Sequence, residues 1–295
     1  MKTKFKRIGL IGIHQNPVVC KTVAETAQLL ISLDCQVMLE SKTSQSLNPP
    51  LDIPNESIEN IGKLCDLVIA VGGDGNMLAA ARVLSMTNVP LIGINRGKLG
   101  FLTDINPLTL KNQLVPILQG EYEQTTRFLI DGVVTNINGE STYHGNAIND
   151  IVLFPGKILQ SIEFELYINN QFVYSQQSDG LIIATPTGST AYALSAGGPI
   201  MYPSLNALVL VPMYPHTLTN RPIVIDANNE IKVVIGNRNK INPRLSFDGQ
   251  DHYSLSMGDT ITIQKQAQTL TLLHPKGYNY YDVLRQKLHW GRRLT

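Results

Sequence analysis

The chain has 295 residues, 43% hydrophobic and 16% charged, which leaves room for two domains with buried cores. Lys+Arg 24 against Asp+Glu 23 gives a formal net charge of +1, so the basic excess expected of a protein that grips a nucleic-acid backbone is absent. No apolar run approaches the roughly 20 residues of a membrane span. The three widely spaced cysteines, Cys20, Cys35 and Cys65, form neither a disulfide framework nor a CxxC metal pair; they read as reduced thiols of a cytoplasmic protein.

A basic start leads into Ile8-Gly9-Leu10-Ile11-Gly12-Ile13. That run is too short for a signal peptide, His14 interrupts it, and no small-residue cleavage site follows. It is expected to be the first strand. Helical periodicity over residues 18–33 precedes a second strand at 36–39, a proline-containing loop and a short helix at 57–64. A buried strand at 66–70 then meets a glycine turn, followed by an Ala- and Leu-rich helix at 77–86. Pro90 opens a strand at 91–94, and residues 108–118 predict an amphipathic helix interrupted near Pro116. This βαβα rhythm predicts an α/β N-terminal domain with a parallel sheet. After Arg127 short alternating runs such as Phe164-Glu165-Leu166-Tyr167-Ile168 and Ile231-Lys232-Val233-Val234-Ile235 predict a β-rich C-terminal domain. The expected division is 1–125, 126–275, and a tail, 276–295, with a short helix at 278–290 that packs back on the first domain.

The informative turn is Val71-Gly72-Gly73-Asp74-Gly75-Asn76, at a strand–turn–helix junction. Gly72, Gly73, Gly75 and Asn76 suit a phosphate-cradling turn, because glycine lets a ligand approach the backbone and a helix N-terminus presents free N–H groups. A carboxylate is awkward for phosphate binding alone. Asp74 makes sense as a general base or through a metal ion, and otherwise as a helix cap. The stretch Ser178 to Pro199 runs a strand into a hydroxyl- and glycine-rich turn, with a short helix expected at 189–195. Its hydroxyls, amides and Tyr192 suit a sugar, a base edge or a phosphate, or else build an ST-turn capped by Ser189. Asn149-Asp150 enters a strand and reads as a turn or a ribose contact. His216, between Pro215 and Thr217, reads as structural, since no nucleophile pattern accompanies it. There is no GxGxxG at the first strand, no GxSxG and no HExxH. Gly93-Ile94-Asn95-Arg96-Gly97-Lys98-Leu99 only imitates a P-loop, with Leu99 in place of the magnesium-holding hydroxyl.

Gly72-Gly73-Asp74-Gly75-Asn76, Asn95-Arg96-Gly97-Lys98-Leu99-Gly100-Phe101-Leu102, Asn149-Asp150, Thr185-Pro186-Thr187-Gly188-Ser189-Thr190-Ala191-Tyr192 and Pro215-His216-Thr217-Leu218 occur in an order that resembles bacterial NAD kinases. The likeness runs from the first strand to His274-Pro275. The GGDG turn alone is shared with diacylglycerol and sphingosine kinases and with phosphofructokinases; the TPTGSTAY stretch is far more specific. The resemblance implies ATP-dependent phosphorylation of the 2′-hydroxyl of the adenosine ribose of NAD, with a divalent metal ion, magnesium, whose ligands the sequence does not name. It implies Asp74 as the catalytic residue, with Gly75, Asn149 and Asp150 on the nucleotide. Thr190, Ala191, Tyr192, Ala193, Leu194 and Ser195 would line the NAD pocket, with Asp179 and Gln250 nearby. Gln160 and Gln177 stand where some members carry a basic or histidine side chain, which leaves a charge-assisted phosphate contact there open. Asp150 stands where many members have the longer Glu. The implied partners are NAD and ATP, with no nucleic acid and no membrane, in a homodimer or homotetramer. Two other readings are a lipid or sugar kinase that shares only GGDG, and a non-catalytic dinucleotide-binding regulator.

Overall fold

The computed structural model describes residues 3–12, 16–96, 100–156, 160–217 and 219–291. Ile13 of the first expected strand, His14 that interrupts the run, Gly97, Lys98 and Leu99 of the P-loop imitation, Leu218 of the PHTL motif and the last four residues of the tail lie outside the described residues. The chain divides into two compact units, Met1–Thr126 with Leu270–Thr295, and Arg127–Thr269.

The first unit begins β1 (Arg7–Gly12), α1 (Pro17–Ser32), β2 (Gln36–Glu40), α2 (Ser41–Ser46), β3 (Asn55–Glu56) and α3 (Ile58–Leu64). It continues β4 (Leu67–Gly72), α4 (Asp74–Leu84), β5 (Leu91–Asn95) and α5 (Leu110–Leu118). Side-chain caps mark the starts of α1 and α3. The Asn16 side chain accepts from the Val18 and Val19 amides ahead of Pro17, and Ser57 accepts from the Asn60 amide. The strands run parallel in the order β5-β4-β1-β2-β3. Apolar faces of α1 (Val19, Val23, Ala27, Leu30) and α5 (Leu114, Ile117, Leu118) share one core with Leu10, Ile69 and Ile94. The chain winds from β1 to one side and from β4 to the other. The crevice at the carboxyl ends of β1 and β4 is therefore the topological switch point, where such sheets bind ligands.

In the first unit α4 and α5 depart from expectation. α4 begins at Asp74 rather than at residue 77, because Gly73, extended at φ −100°, already accepts the Asn76 and Met77 amides. α5 runs through Pro116 without interruption. The proline removes one hydrogen bond in the last turns, and the buried Leu114, Ile117 and Leu118 hold the helix regardless.

The second unit carries β6 (Tyr122–Thr135), which enters it from the first, then β7 (Ser141–Ala147), β8 (Asp150–Phe154), β9 (Ile162–Ile168), β10 (Gln171–Ser178) and β11 (Gly180–Ala184). A short α6 (Tyr192–Ser195) follows, then β12 (Ala207–Met213), β13 (Ile223–Asp226), β14 (Ile231–Ile235), β15 (Arg244–Phe247), β16 (Asp251–Ser254) and β17 (Thr260–Pro275). One antiparallel sheet orders β13-β12-β11-β8-β15-β16, and β10-β9-β14-β17 run in another. Phe164 and Leu166 from one sheet and Ile151, Leu153 and Phe247 from the other share a core, so the sheets pack face to face. β17 returns to the first unit, where Leu272 pairs with Leu91, and α7 (Tyr280–Leu288) ends the described chain. No helix among the described residues is long and apolar enough to cross a membrane.

Candidate active site

The first unit presents the glycine turn at the switch point. Gly72 closes β4 at φ 153°, a conformation that L side chains rarely adopt. A Cβ on Gly73 or Gly75 would meet no atom within 4 Å, so these two glycines leave open space rather than relieve internal crowding. The Asn76 amide is spent inside the turn, where Nδ2 donates to the Val71 carbonyl at 2.9 Å. Asp74 is the first residue of α4, and its carboxylate accepts from the Phe101 amide (2.8 Å), the Leu102 amide (3.1 Å) and the Thr103 hydroxyl (3.3 Å). At the end of β5, Asn95 Oδ1 and Arg96 Nε are buried with no hydrogen-bond partner among the described residues. Lys98, in the same motif, lies outside them.

The second unit holds a cavity of about 370 Å³ lined by Asn149, Asp150, Val152, Phe154, Ala191, Tyr192, Ser246, Asp248 and Gly249. Four residues expected in the nucleotide site, Asn149, Asp150, Ala191 and Tyr192, meet here. Asp150 is 4% exposed, and burial, reinforced by the charge of Asp248, pushes its carboxyl up to about 7. Tyr192 is 51% exposed, with its ring available as a wall. The Ser246 hydroxyl is buried and has no partner among the described residues.

The hydroxyls of Thr185 to Thr190 mostly build the turn. The Thr185 hydroxyl donates to the Ile148 carbonyl and accepts from the Gly188 amide. Ser189 donates to the Pro186 carbonyl and accepts from the Met201 amide, and Thr190 donates to the Thr187 carbonyl. A Cβ on Gly188 would lie 2.0 Å from the Asn149 carbonyl oxygen, so this turn is pressed against the Asn149 strand entry. The short helix expected at 189–195 is two pieces, a 3-10 turn at Gly188–Thr190 and α6, broken at Ala191 (φ −100°, ψ −128°). Ser189 caps neither piece, because its hydroxyl is engaged elsewhere.

The remaining expected contacts are dispersed. Ala193 is fully buried among Val152, Ile182 and Val209. Ser195 and Asp179 are exposed, Leu194 is partly buried, and Gln250 sits exposed in the turn before β16. Gln160 and Gln177 line a different cavity, of about 430 Å³, with Ser161, Glu163, Arg238 and Lys240, and Gln177 donates to Ser161 at 2.8 Å. The exposed His216 donates its backbone amide to the Gln177 carbonyl.

Asp248 escaped the sequence reading. At φ 52°, it accepts through its carboxylate from the amides of Ile148, Asn149 and Asp150 at 3.0, 2.8 and 3.1 Å. Its signal was the Asp248-Gly249 pair between two alternating runs, a hairpin signature. Among the described residues no three His, Cys, Asp or Glu side chains cluster to hold a metal ion.

Residues 8–122 match the family described as ATP-NAD kinase N-terminal domain, and residues 148–274 the ATP-NAD kinase C-terminal domain. The chain is 52% identical over 291 residues to an NAD kinase of Ectopseudomonas mendocina (strain ymp), covering 99% of this chain and 98% of that one. It is 51% identical over 290 residues to an NAD kinase of Pseudomonas fluorescens (strain SBW25), covering 98% and 97%. The structure superposes on yeast NADH kinase complexed with NADH at TM-score 0.90 and 23% identity, covering 98% of this chain and 89% of that one, a likeness of fold. An NAD kinase from Archaeoglobus fulgidus in complex with ATP gives TM-score 0.72 at 25% identity, covering 96% and 98%. These matches define a phosphotransferase with an alcohol group as acceptor. The readings as a lipid or sugar kinase and as a non-catalytic regulator therefore fall away. The chain belongs to the ATP-NAD kinase family, and its activity is that of an NAD kinase.

Proposed function

We propose that this chain transfers the γ-phosphoryl group of ATP to the 2′-hydroxyl of the adenosine ribose of NAD, with Asp74 accepting the hydroxyl proton. A ribose hydroxyl is a weak nucleophile, and a positioned carboxylate takes its proton as the phosphoryl group departs. Phosphoryl transfer otherwise requires positioning and charge neutralisation. The observation that carries this reading is the Asp74 carboxylate at the switch point, flanked by two glycines with open space above them. The cavity of the second unit supplies recognition. Tyr192 and Phe154 offer flat apolar faces, and Asn149, Ser246 and Asp150 offer hydrogen bonds to a nucleoside. With its carboxyl near neutrality, Asp150 both donates and accepts there.

A divalent ion, magnesium, belongs to the reading, but the described residues form no side-chain cage for one. Magnesium often keeps several waters and rides on substrate phosphates, so the ion would be held mainly by the ATP phosphates and would supply charge neutralisation there. The same proposal includes a homodimer or homotetramer and a cytoplasmic location, the latter supported by three free cysteines. Incubation with ATP, magnesium and NAD, with the product resolved chromatographically, tests the function. NADP phosphorylated at the 2′ position is the expected product, and its absence overturns the reading.

A further inference from the structure

The segment 100–105 is fixed at several points. The Ile105 amide donates to the Gly93 carbonyl at 3.2 Å, and the Asn95 amide donates to the Ile105 carbonyl at 2.9 Å. Asp104 Oδ2 lies 2.7 Å from His274 Nδ1, whose other ring nitrogen lies 2.7 Å from the Thr125 hydroxyl. The His274 ring stacks on Tyr278 at 3.9 Å. The Lys287 ammonium sits 5.5 Å over the Phe101 ring. Within this fixed segment Thr103 is 1% exposed, and its methyl is packed so closely that a Cβ on Gly93 would lie 2.8 Å away.

From that bed three consecutive residues donate to one carboxylate. Phe101 donates to Oδ2 of Asp74, and Leu102 and Thr103 donate to Oδ1. A carboxylate offers about four acceptor directions. Among the described residues two are filled on Oδ1 and one on Oδ2, which leaves the remaining direction on Oδ2. The neighbouring Gly100 is required by this arrangement, because a Cβ there would lie 2.0 Å from Asp74 Oδ1 and 2.2 Å from the Thr103 hydroxyl. We infer that Thr103 is a positioning residue for phosphoryl transfer: with the Phe101 and Leu102 amides it fixes the rotation of the Asp74 carboxylate, so that Oδ2 is the oxygen that receives the ribose proton. The inference rests on the reading of Asp74 as base.

The test is a double-mutant cycle on the full chain, with kcat and both KM values measured. Thr103→Val removes the hydroxyl and keeps the shape; Thr103→Ser keeps the hydroxyl. Thr103→Val should lower kcat about tenfold, the scale of one hydrogen bond to a charged group, with KM for NAD and for ATP within about twofold. Thr103→Ser should restore the rate. Because Thr103 acts through Asp74, Thr103→Val should cost nothing further in an Asp74→Asn background. If Thr103→Val does not fold, Thr103→Ala, which also lacks the hydroxyl, enters the same cycle with the same expectations. A wild-type kcat in Thr103→Val, or losses that multiply in the double variant, would overturn the inference and leave Asp74 as base. A near wild-type rate in Asp74→Asn alone would overturn both.

Discussion

Asp150 and Asp248 place two carboxyl groups against one cavity, and burial works against the charge on Asp150. Asp150 moves from 3.8 to about 7 in the folded chain, so between those values the folded state holds a proton that the unfolded state has released. Folding stability therefore falls as pH rises through this window and levels off above pH 7. Asp150→Asn lacks the titration. Its stability relative to the parent should climb from pH 4 to pH 7 by up to about 1.4 kcal/mol per pH unit. Denaturant unfolding across that range reads the difference, and a flat difference would contradict the assignment. Tyr192, half-exposed in the same cavity, makes a separable claim. Tyr192→Ala should raise KM for NAD several-fold, since one aromatic contact is worth about 0.5–1.5 kcal/mol beyond burial, and should leave KM for ATP and the melting temperature nearly unchanged. An unchanged KM for NAD in the folded variant removes Tyr192 from the site.

At the scale of elements, the hairpin joining β15 to β16 is the support on which the entry to β8 rests. Three successive amides end on the Asp248 carboxylate. Buried donors left unpaired are costly, so Asp248→Ala should destabilise the fold by about 2 kcal/mol or more. Asp248→Asn, which tolerates the same left-handed backbone and keeps an acceptor oxygen, should lose less. Urea midpoints that coincide for the two variants would contradict this account. The strands and helices of the first unit were legible because their apolar runs follow simple periods, while the caps Asn16 and Ser57 entered only with the structure. Asp74, Asn149, Asp150 and Tyr192 stood out in the sequence as candidates, and the last three line one cavity. Asp248 did not stand out, because its partners lie about a hundred residues away in sequence and local pattern carries no trace of them. The hydroxyl-rich turn left open whether its hydroxyls face a ligand or an ST-turn, and Thr185 and Ser189 spend theirs on backbone. Density of polar residues looks the same whether they face a ligand or their own turn.

For the molecule as a whole, both units carry their own cores, so the candidate residues of each rest on a packed scaffold. Phe172 and Tyr214 remain 59% and 83% exposed on the second unit, surface that a symmetric assembly can use. Light scattering at micromolar concentration should give at least twice the 32.5 kDa chain mass, and a monomer mass would count against the proposed homo-oligomer. The central claim is that a single carboxylate, Asp74, takes the proton in phosphoryl transfer. The most direct measurement is the kcat of Asp74→Asn alongside NAD binding by calorimetry. The account predicts an intact fold, retained NAD binding and a kcat lowered by on the order of 10²–10⁴. Turnover near the wild-type rate would contradict it and move the search for the base to Asp150.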